Sequence, residues 1–557
     1  MASTLPRLPV FEAIASHDPR STVAIHSISG RRFAYGELLK DVAEARDRLL
    51  MTLLSILAMH SIAVPLSAAF PAPELKYIMD HSQASMLLSS AKFERKAQEV
   101  LDEALEATPT FVKLKKRLGG GSTADGSVVL RGPSDGEGGM MLYTSGTTNR
   151  PKGVLLPQRV MTAQCKPLVK AWEYSPGDHL LHVLPLHHIH GTINAILAPL
   201  FAGATIEFLF PFNATAVWSR FAAPFLSTGN SDLKPPTKEK ITFFTVVPTV
   251  YNRLLSTFPD LPVSLQNAAK QAISPQNLRL SISGSAALPT PTKKAWTDLS
   301  SGNVILERYG MTEVGMALSC GLAPSDRVDG SVGWPLPTVE VRLVDTESGE
   351  IIHPGEEVGP DGRERDGEIQ LRGPTIFQEY WHNEKAMREE HVESEDGKGR
   401  WFKTGDVAVR RAVPSAGHND AQRDWAQGPM YFIRGRKSAD IIKSGGEKVS
   451  ALEVERELLS LPQIAEAAVV AVSSGKWGQK VGAVVILKKG MEWSESRSGK
   501  RWGPLDMRRA LKERIAPYKI PQVLKIVDEI PRNAMGKINK KQLVKSVFVE
   551  EASGDEM

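Results

Sequence analysis

Short apolar runs bounded by turn residues recur through the first 435 residues and alternate with amphipathic stretches; TIEFLF at 205–210, ITFFTVVP at 241–248 and LRLSISGSA at 278–286 are examples. Apolar runs of this length read as strands, and strands alternating with helical patterns predict an α/β chain. After Gly435 the pattern restarts as a smaller α+β segment. It has strand-like AEAAVVAV at 465–472 and KVGAVVIL at 480–487, and helix-like DMRRALKERI at 506–515. The expected organisation is therefore a large N-terminal region of several α/β subdomains, 1–435, followed by a small domain, 436–557. Clusters of Gly, Ser and charge predict surface loops at 119–139, 226–240, 356–368 and 411–428. The basic run KLKKR at 113–117 reads as the solvated polar face of a helix rather than a nucleic-acid patch.

One stretch departs from this alternation. Between Arg48 and Glu74 no Asp, Glu, Lys or Arg occurs, and the run is long enough for a membrane span. Ser55, His60, Ser61, Pro65 and Ser67 interrupt it. It is better read as a buried helix from about Leu49 to Ala58 followed by a strand, Ile62 to Leu66, so no stable membrane span is expected.

Composition changes the picture little. A length of 557 residues allows three or four units at roughly 150 residues each. Hydrophobic residues at 42% and charged residues at 24% match soluble globular proteins, and a net charge of +5 is too diffuse for a nucleic-acid groove. Two distant cysteines, Cys165 and Cys320, make no disulfide framework and favour a reducing compartment. A cytoplasmic location is expected, with a mitochondrial one as the alternative; neither a secretory h-region nor a peroxisomal C-terminal tripeptide is present in the given sequence.

The strongest chemical signal is MMLYTSGTTNRPKGV at 140–154. An apolar strand runs into Thr144, Ser145, Gly146, Thr147 and Thr148, and Lys152 follows. Hydroxyls and amides on a glycine-containing loop can wrap polyphosphate oxygens, and the lysine adds mobile positive charge. The order differs from the GxxxxGK[ST] loop, because the hydroxyls precede the lysine. A nucleoside triphosphate is the natural ligand.

Six more segments follow: ISGSAALP (282–289), LERYGMTEVG (306–315), DGSVGWPLP (329–337), WFKTGD (401–406), IRGRKSADIIKSGGEKVSALEVE (433–455) and PRNAMGKINK (531–540). With the phosphate loop they resemble, in order, the motifs of the adenylate-forming acyl-CoA synthetases. The family loop TSGTTGxPKG has Asn149 here in place of its second glycine. The resemblance implies that a carboxylic acid attacks the α-phosphate of ATP, and that the thiol of CoA then displaces AMP. It places adenine against Gly284, Ser285 and Ala286, the ribose at Asp406 and Arg436, and phosphate and Mg2+ at Thr312 and Glu313. It also makes Lys537 the adenylation lysine, sets Gly445 and Gly446 beside the CoA thiol tunnel, and implies a mobile C-terminal lid hinged at about Gly435. By comparison with the family, a strand and an apolar helix start are missing where KDVAEARDRLL passes into MTLLSILAMHSIAVPL.

The acyl pocket decides the expected acid. Arg308 precedes YGMTE, where relatives taking neutral chains have a small or neutral residue, and Arg253 lies in VVPTVYNRLL, a pocket-lining segment of the family. Two buried guanidiniums without an anion would be costly, so a second carboxylate on the ligand is the better partner. With His190 of LPLHHIHG, and His187 or His188 beside it, the pattern looks most like the malonyl-CoA synthetases. Alternatives stay open: a neutral or aryl acyl-CoA ligase, a nucleotide-binding relative inactivated by the N-terminal gap, and an Arg308–Glu307 ion pair that leaves no charge for a ligand.

Overall fold

The expected strands pair into one nine-stranded sheet in the computed structural model, which describes residues 4–46, 53–114, 128–132, 138–144, 150–226, 238–474, 478–493, 499–532 and 538–548. Its order is Trp334–Pro335, Gly315–Ser319, Leu306–Met311, Leu280–Ser283, Phe243–Val246, His179–His182, Thr205–Phe208, Thr22–His26, Arg31–Ala34. The six inner strands are parallel and their faces are covered by helices, which is why they read as continuous apolar runs. TIEFLF, ITFFTVVP and LRLSISGSA all lie in this sheet, each shorter than its apolar run. Pro248 shows why: proline cannot donate to the ladder but suits a first helical turn, so Phe243–Val246 gives way to the helix Pro248–Thr257.

Two further sheets flank the main one. Lys152–Pro157 and Gly139–Thr144 form an antiparallel hairpin between Glu379–Tyr380 and Ile62–Ala63. An antiparallel sheet of Ile351–Ile352, Glu340–Asp345, Gly367–Arg372, Arg400–Arg411 and His391–Glu393 carries Met430–Arg436 on its longest strand. That pairing runs to Arg436 opposite Asp406, and the separate C-terminal sheet begins at Ile441. In the C-terminal sheet AEAAVVAV and KVGAVVIL become the paired strands Ile464–Ser474 and Gly478–Leu487. The helix Pro504–Leu511 stops short of the predicted 515.

The uncharged run forms a helix, Leu53–Ala58, with Leu54, Leu57 and Ala58 buried, and a two-residue strand, Ile62–Ala63. Its expected start near Leu49, and the junction where family elements are missing, lie outside the described residues. Among the described residues no helix is long and apolar enough to cross a membrane. The basic run needs a correction: Lys113 and Leu114 belong to the strand Thr110–Leu114, not to a helix. Parallel pairing with Met86–Ser90 decides the conformation, and Lys113 meets Glu94 at 2.6 Å; residues 115–117 lie outside the described chain.

Two strands of the main sheet are tied by a buried ion cluster. The carboxylate of Glu207 accepts from Nε of Arg220 at 2.7 Å and lies 2.9 Å from Nε2 of His179. Burial pushes this carboxyl up, but the bonds from His179 and Arg220 outweigh it and hold it down at about 2. Glu207→Gln leaves the Arg220 guanidinium buried without a counter-charge, which is expected to cost about 3–5 kcal/mol and to lower the melting temperature at pH 7. A depressed pKa contributes stability above the ordinary value of 4.5 and loses it towards about 2. The melting-temperature gap between wild type and variant, measured by calorimetry, should therefore close as pH falls through that window.

Candidate active site

The chain goes from His179–His182 to its neighbour on one side, Thr205–Phe208, and only later to its neighbour on the other, Phe243–Val246. Strand order reverses there, and in open α/β sheets such a switch point is where ligands bind, beyond the carboxyl ends of the strands. His190 starts an eight-residue π-helical stretch, His190–Leu197, an uncommon geometry that concentrates at functional sites. Gly191 permits it: a Cβ there would lie 2.1 Å from the carbonyl oxygen of Pro185. His182 braces the turn. Its Nδ1 accepts from the Leu184 amide at 3.3 Å, so Nε2 carries the proton and donates to the Gly191 carbonyl at 2.9 Å. His190 places Nε2 2.6 Å from Oγ1 of Thr245 and Nδ1 3.5 Å from Oγ of Ser285. Burial, with the positive charge of Arg308 beside it, pushes His190 well below the usual histidine range and keeps it neutral.

Arg308 lies at the same edge, fully buried. Its Nη2 donates weakly to Oγ of Ser285 at 3.4 Å, and its Nε has no partner among the described residues. Burial pulls the guanidinium down to about 9. Gly284 makes room for it, since a Cβ there would fall 2.4 Å from Cζ and Nε of Arg308. Ser285 turns the chain away with φ of 68°. The open question over Glu307 is resolved by strand alternation. Glu307 faces the opposite side and binds Nζ of Lys293 at 2.8 Å, so that among the described residues Arg308 has no carboxylate partner.

Arg253 is the correction. The helix Pro248–Thr257 buries Val250, Tyr251 and Leu254, which puts Arg253 on its exposed side, so only one of the two expected guanidiniums is buried. Of the other histidines, His187 and His188 are half-buried, with rings 4.1 Å apart; burial pulls His187 down to about 4.

A second cluster gathers the nucleotide residues. The hairpin of Leu306–Met311 and Gly315–Ser319 carries Thr312 and Glu313 in its turn. Oε1 of buried Glu313 lies 3.0 Å from the Tyr380 hydroxyl oxygen, and burial raises its carboxyl above the ordinary value. Thr144 pairs with Lys152 across the hairpin that brackets the phosphate loop. Nζ of Lys152 lies 2.6 Å from Glu390 and 3.9 Å from the centre of the Tyr380 ring. Ser145, Gly146, Thr147 and Thr148 lie outside the described residues, as does Lys537.

On the antiparallel sheet, Asp406 accepts from the Tyr309 hydroxyl at 2.6 Å and from Nη1 of Arg436 at 3.2 Å. Burial raises its carboxyl despite Arg436. Ala286 is exposed beside Ser285. Gly445 and Gly446 form a two-residue hairpin turn with φ of 59° and 88°, a geometry that suits glycine at both positions. The neighbouring Glu447 pairs with Arg363 on the 356–366 loop, so this turn stands apart from the hydrogen-bonded cluster.

Sequence reasoning passed over four residues that the fold brings in: Thr245, Tyr309, Tyr380 and Glu390. Tyr309 sits inside the YGMTE segment and could have been found there. Nothing in EYWHNE or MREEHV marks Tyr380 or Glu390, because their partners are distant in sequence.

The profile described as AMP-binding enzyme matches residues 41–381, and that of the AMP-binding enzyme C-terminal domain matches 453–537. The chain belongs to the AMP-binding enzyme family. A CoA ligase of Gibberella moniliformis is 53% identical over 591 residues, covering 99% of this chain and 96% of that protein. The mouse mitochondrial malonate–CoA ligase ACSF3 is 39% identical, with 87% of this chain and 78% of its own length covered. The ATP-bound crystal structure of MatB from Rhodopseudomonas palustris superposes with a TM-score of 0.73 at 26% identity, covering 98% of this chain and 99% of that one. In this AMP-binding fold, Asp406→Asn keeps the shape of the side chain but removes the charge opposite Arg436. Calorimetric AMP affinity is expected to fall about tenfold, as for loss of a charged hydrogen bond, and the melting temperature to fall as well, because Arg436 loses its counter-charge.

Proposed function

We propose that this chain is an AMP-forming malonate–CoA ligase. The observation that carries the reading is the buried Arg308 guanidinium, which has an unpartnered Nε beside a neutral histidine at the carboxyl edge of the main sheet. A second carboxylate on the substrate supplies the missing acceptor, and a neutral acid leaves the guanidinium unpaired. The relatives named as malonate–CoA ligases and the likeness to MatB support this choice.

In the first half-reaction, a substrate carboxylate oxygen bonds to the α-phosphorus of ATP and the bond to pyrophosphate breaks. In the second, the CoA sulfur bonds to the acyl carbon and AMP leaves. Both steps depend on positioning and charge neutralisation more than on covalent work by side chains. Gly284, Ser285 and Ala286 offer a flat edge to adenine, and Asp406 with Arg436 receives the ribose. Thr144, Ser145, Gly146, Thr147, Thr148, Thr312 and Lys152 hold the phosphates, and Lys537 bridges carboxylate and α-phosphate. Gly445 and Gly446 serve CoA when the lid, 436–557, turns about Gly435.

Mg2+ fits the site, because Glu313 is a buried carboxylate oxygen donor and Mg2+ takes one or two carboxylates along with phosphates. Glu313 would hold the ion, which supplies neutralisation of phosphate charge when bound. For the compartment, the mitochondrial name of the mouse relative favours the mitochondrial alternative.

A pyrophosphate-release panel with CoA and malonate, methylmalonate, succinate, oxalate, acetate or benzoate tests the substrate. Malonate should exceed acetate in kcat/KM by about a hundredfold or more, in line with the cost of an unpaired buried charge. Equal turnover of acetate or benzoate would reject the dicarboxylate reading and leave the ligase. Arg308→Met should lower malonate kcat/KM by a similar factor while AMP affinity stays within about threefold.

A further inference from the structure

Lys152 already has a partner in this structure. Its ammonium lies 2.6 Å from Oε1 of Glu390, and Oε2 of Glu390 takes the Tyr380 hydroxyl at 2.6 Å. The carboxylate is held from behind: the Glu390 amide donates to the Ala386 carbonyl at 2.9 Å, and its carbonyl accepts from the Lys403 amide at 2.8 Å. Lys152 is the first residue of a paired strand, opposite Thr144, so its backbone is fixed as well. With 23% and 33% of the two side chains exposed, the pair is accessible enough to break and dry enough to matter.

We propose that Glu390 is an affinity-setting positioning residue. It holds Lys152 over the Tyr380 ring when no phosphate is present and competes with the polyphosphate for the ammonium. ATP then binds less tightly, and pyrophosphate leaves more readily, than Lys152 alone would dictate. The proposal rests on Lys152 being the phosphate lysine. It does not depend on which acid is activated.

The test uses the full chain and three variants. Glu390→Gln keeps the shape and an acceptor for Tyr380 but removes the competing charge. It should lower KM for ATP and the inhibition constant of pyrophosphate by about fivefold each, the size expected for loss of a partly exposed ion pair, with KM for malonate unchanged. Glu390→Asp, which keeps the charge but shortens its reach, should move both constants in the same direction. In the double variant Lys152→Met/Glu390→Gln the gain should vanish, because the competition runs through Lys152. A rise, or no change, in both constants for Glu390→Gln overturns the proposal. So does an equal gain in the Lys152→Met background, which would assign the effect to direct repulsion of phosphate. Lys152→Met alone separates the two levels. If it leaves ATP and pyrophosphate constants unmoved, the phosphate reading of Lys152 falls; if it weakens both while Glu390→Gln does nothing, only the competition falls.

Discussion

A guanidinium sealed beneath the carboxyl edge of the main sheet constrains everything around it. Desolvation makes the charge of Arg308 expensive, and its own strand neighbour cannot relieve it, because alternation sends Glu307 to Lys293 on the other face. Room for the guanidinium requires a residue without Cβ at 284. The same charge helps keep His190 neutral, so the crevice gathers one cation and several neutral donors. Such a site is satisfied by an anion that arrives from outside, and it penalises any ligand lacking one.

The cluster around Lys152 and Asp406 follows the opposite rule, since those two charges already have partners within the fold. Asp406 has Arg436 and Tyr309, Lys152 has Glu390, and Tyr380 joins Glu390 to Glu313. These pairs come from three separate sheets, so the cluster also acts as mortar between them. Ligand binding there means exchanging partners, whereas in the acyl crevice it means supplying a missing one. On the proposed ligase reading the difference separates two tasks: a nucleotide must enter and its products leave, while the acid must be chosen.

The π-helical stretch at His190–Leu197 packs beside the strands His179–His182 and Phe243–Val246. A wider helical turn changes the angular spacing of side chains, and here it lets His190 reach Thr245 on the neighbouring strand while His182 clamps the Gly191 carbonyl from below. The absence of a side chain at 191 is required by the close approach of the Pro185 carbonyl.

Local pattern and ordered motifs were enough to read the α/β class and the buried helix in the uncharged run. These depend on periodicity and on short segments whose chemistry is contained within themselves. Tertiary structure alone decided the rest. A helical register turned Arg253 outward, sheet pairing made a strand of Lys113–Leu114, and strand alternation gave Glu307 to Lys293 rather than to its neighbour. It also brought Glu390 to Lys152 across more than two hundred residues. A sequence shows which charges a chain carries; which of them are left without a counter-charge depends on burial and on partners from other elements, and only the folded chain supplies both.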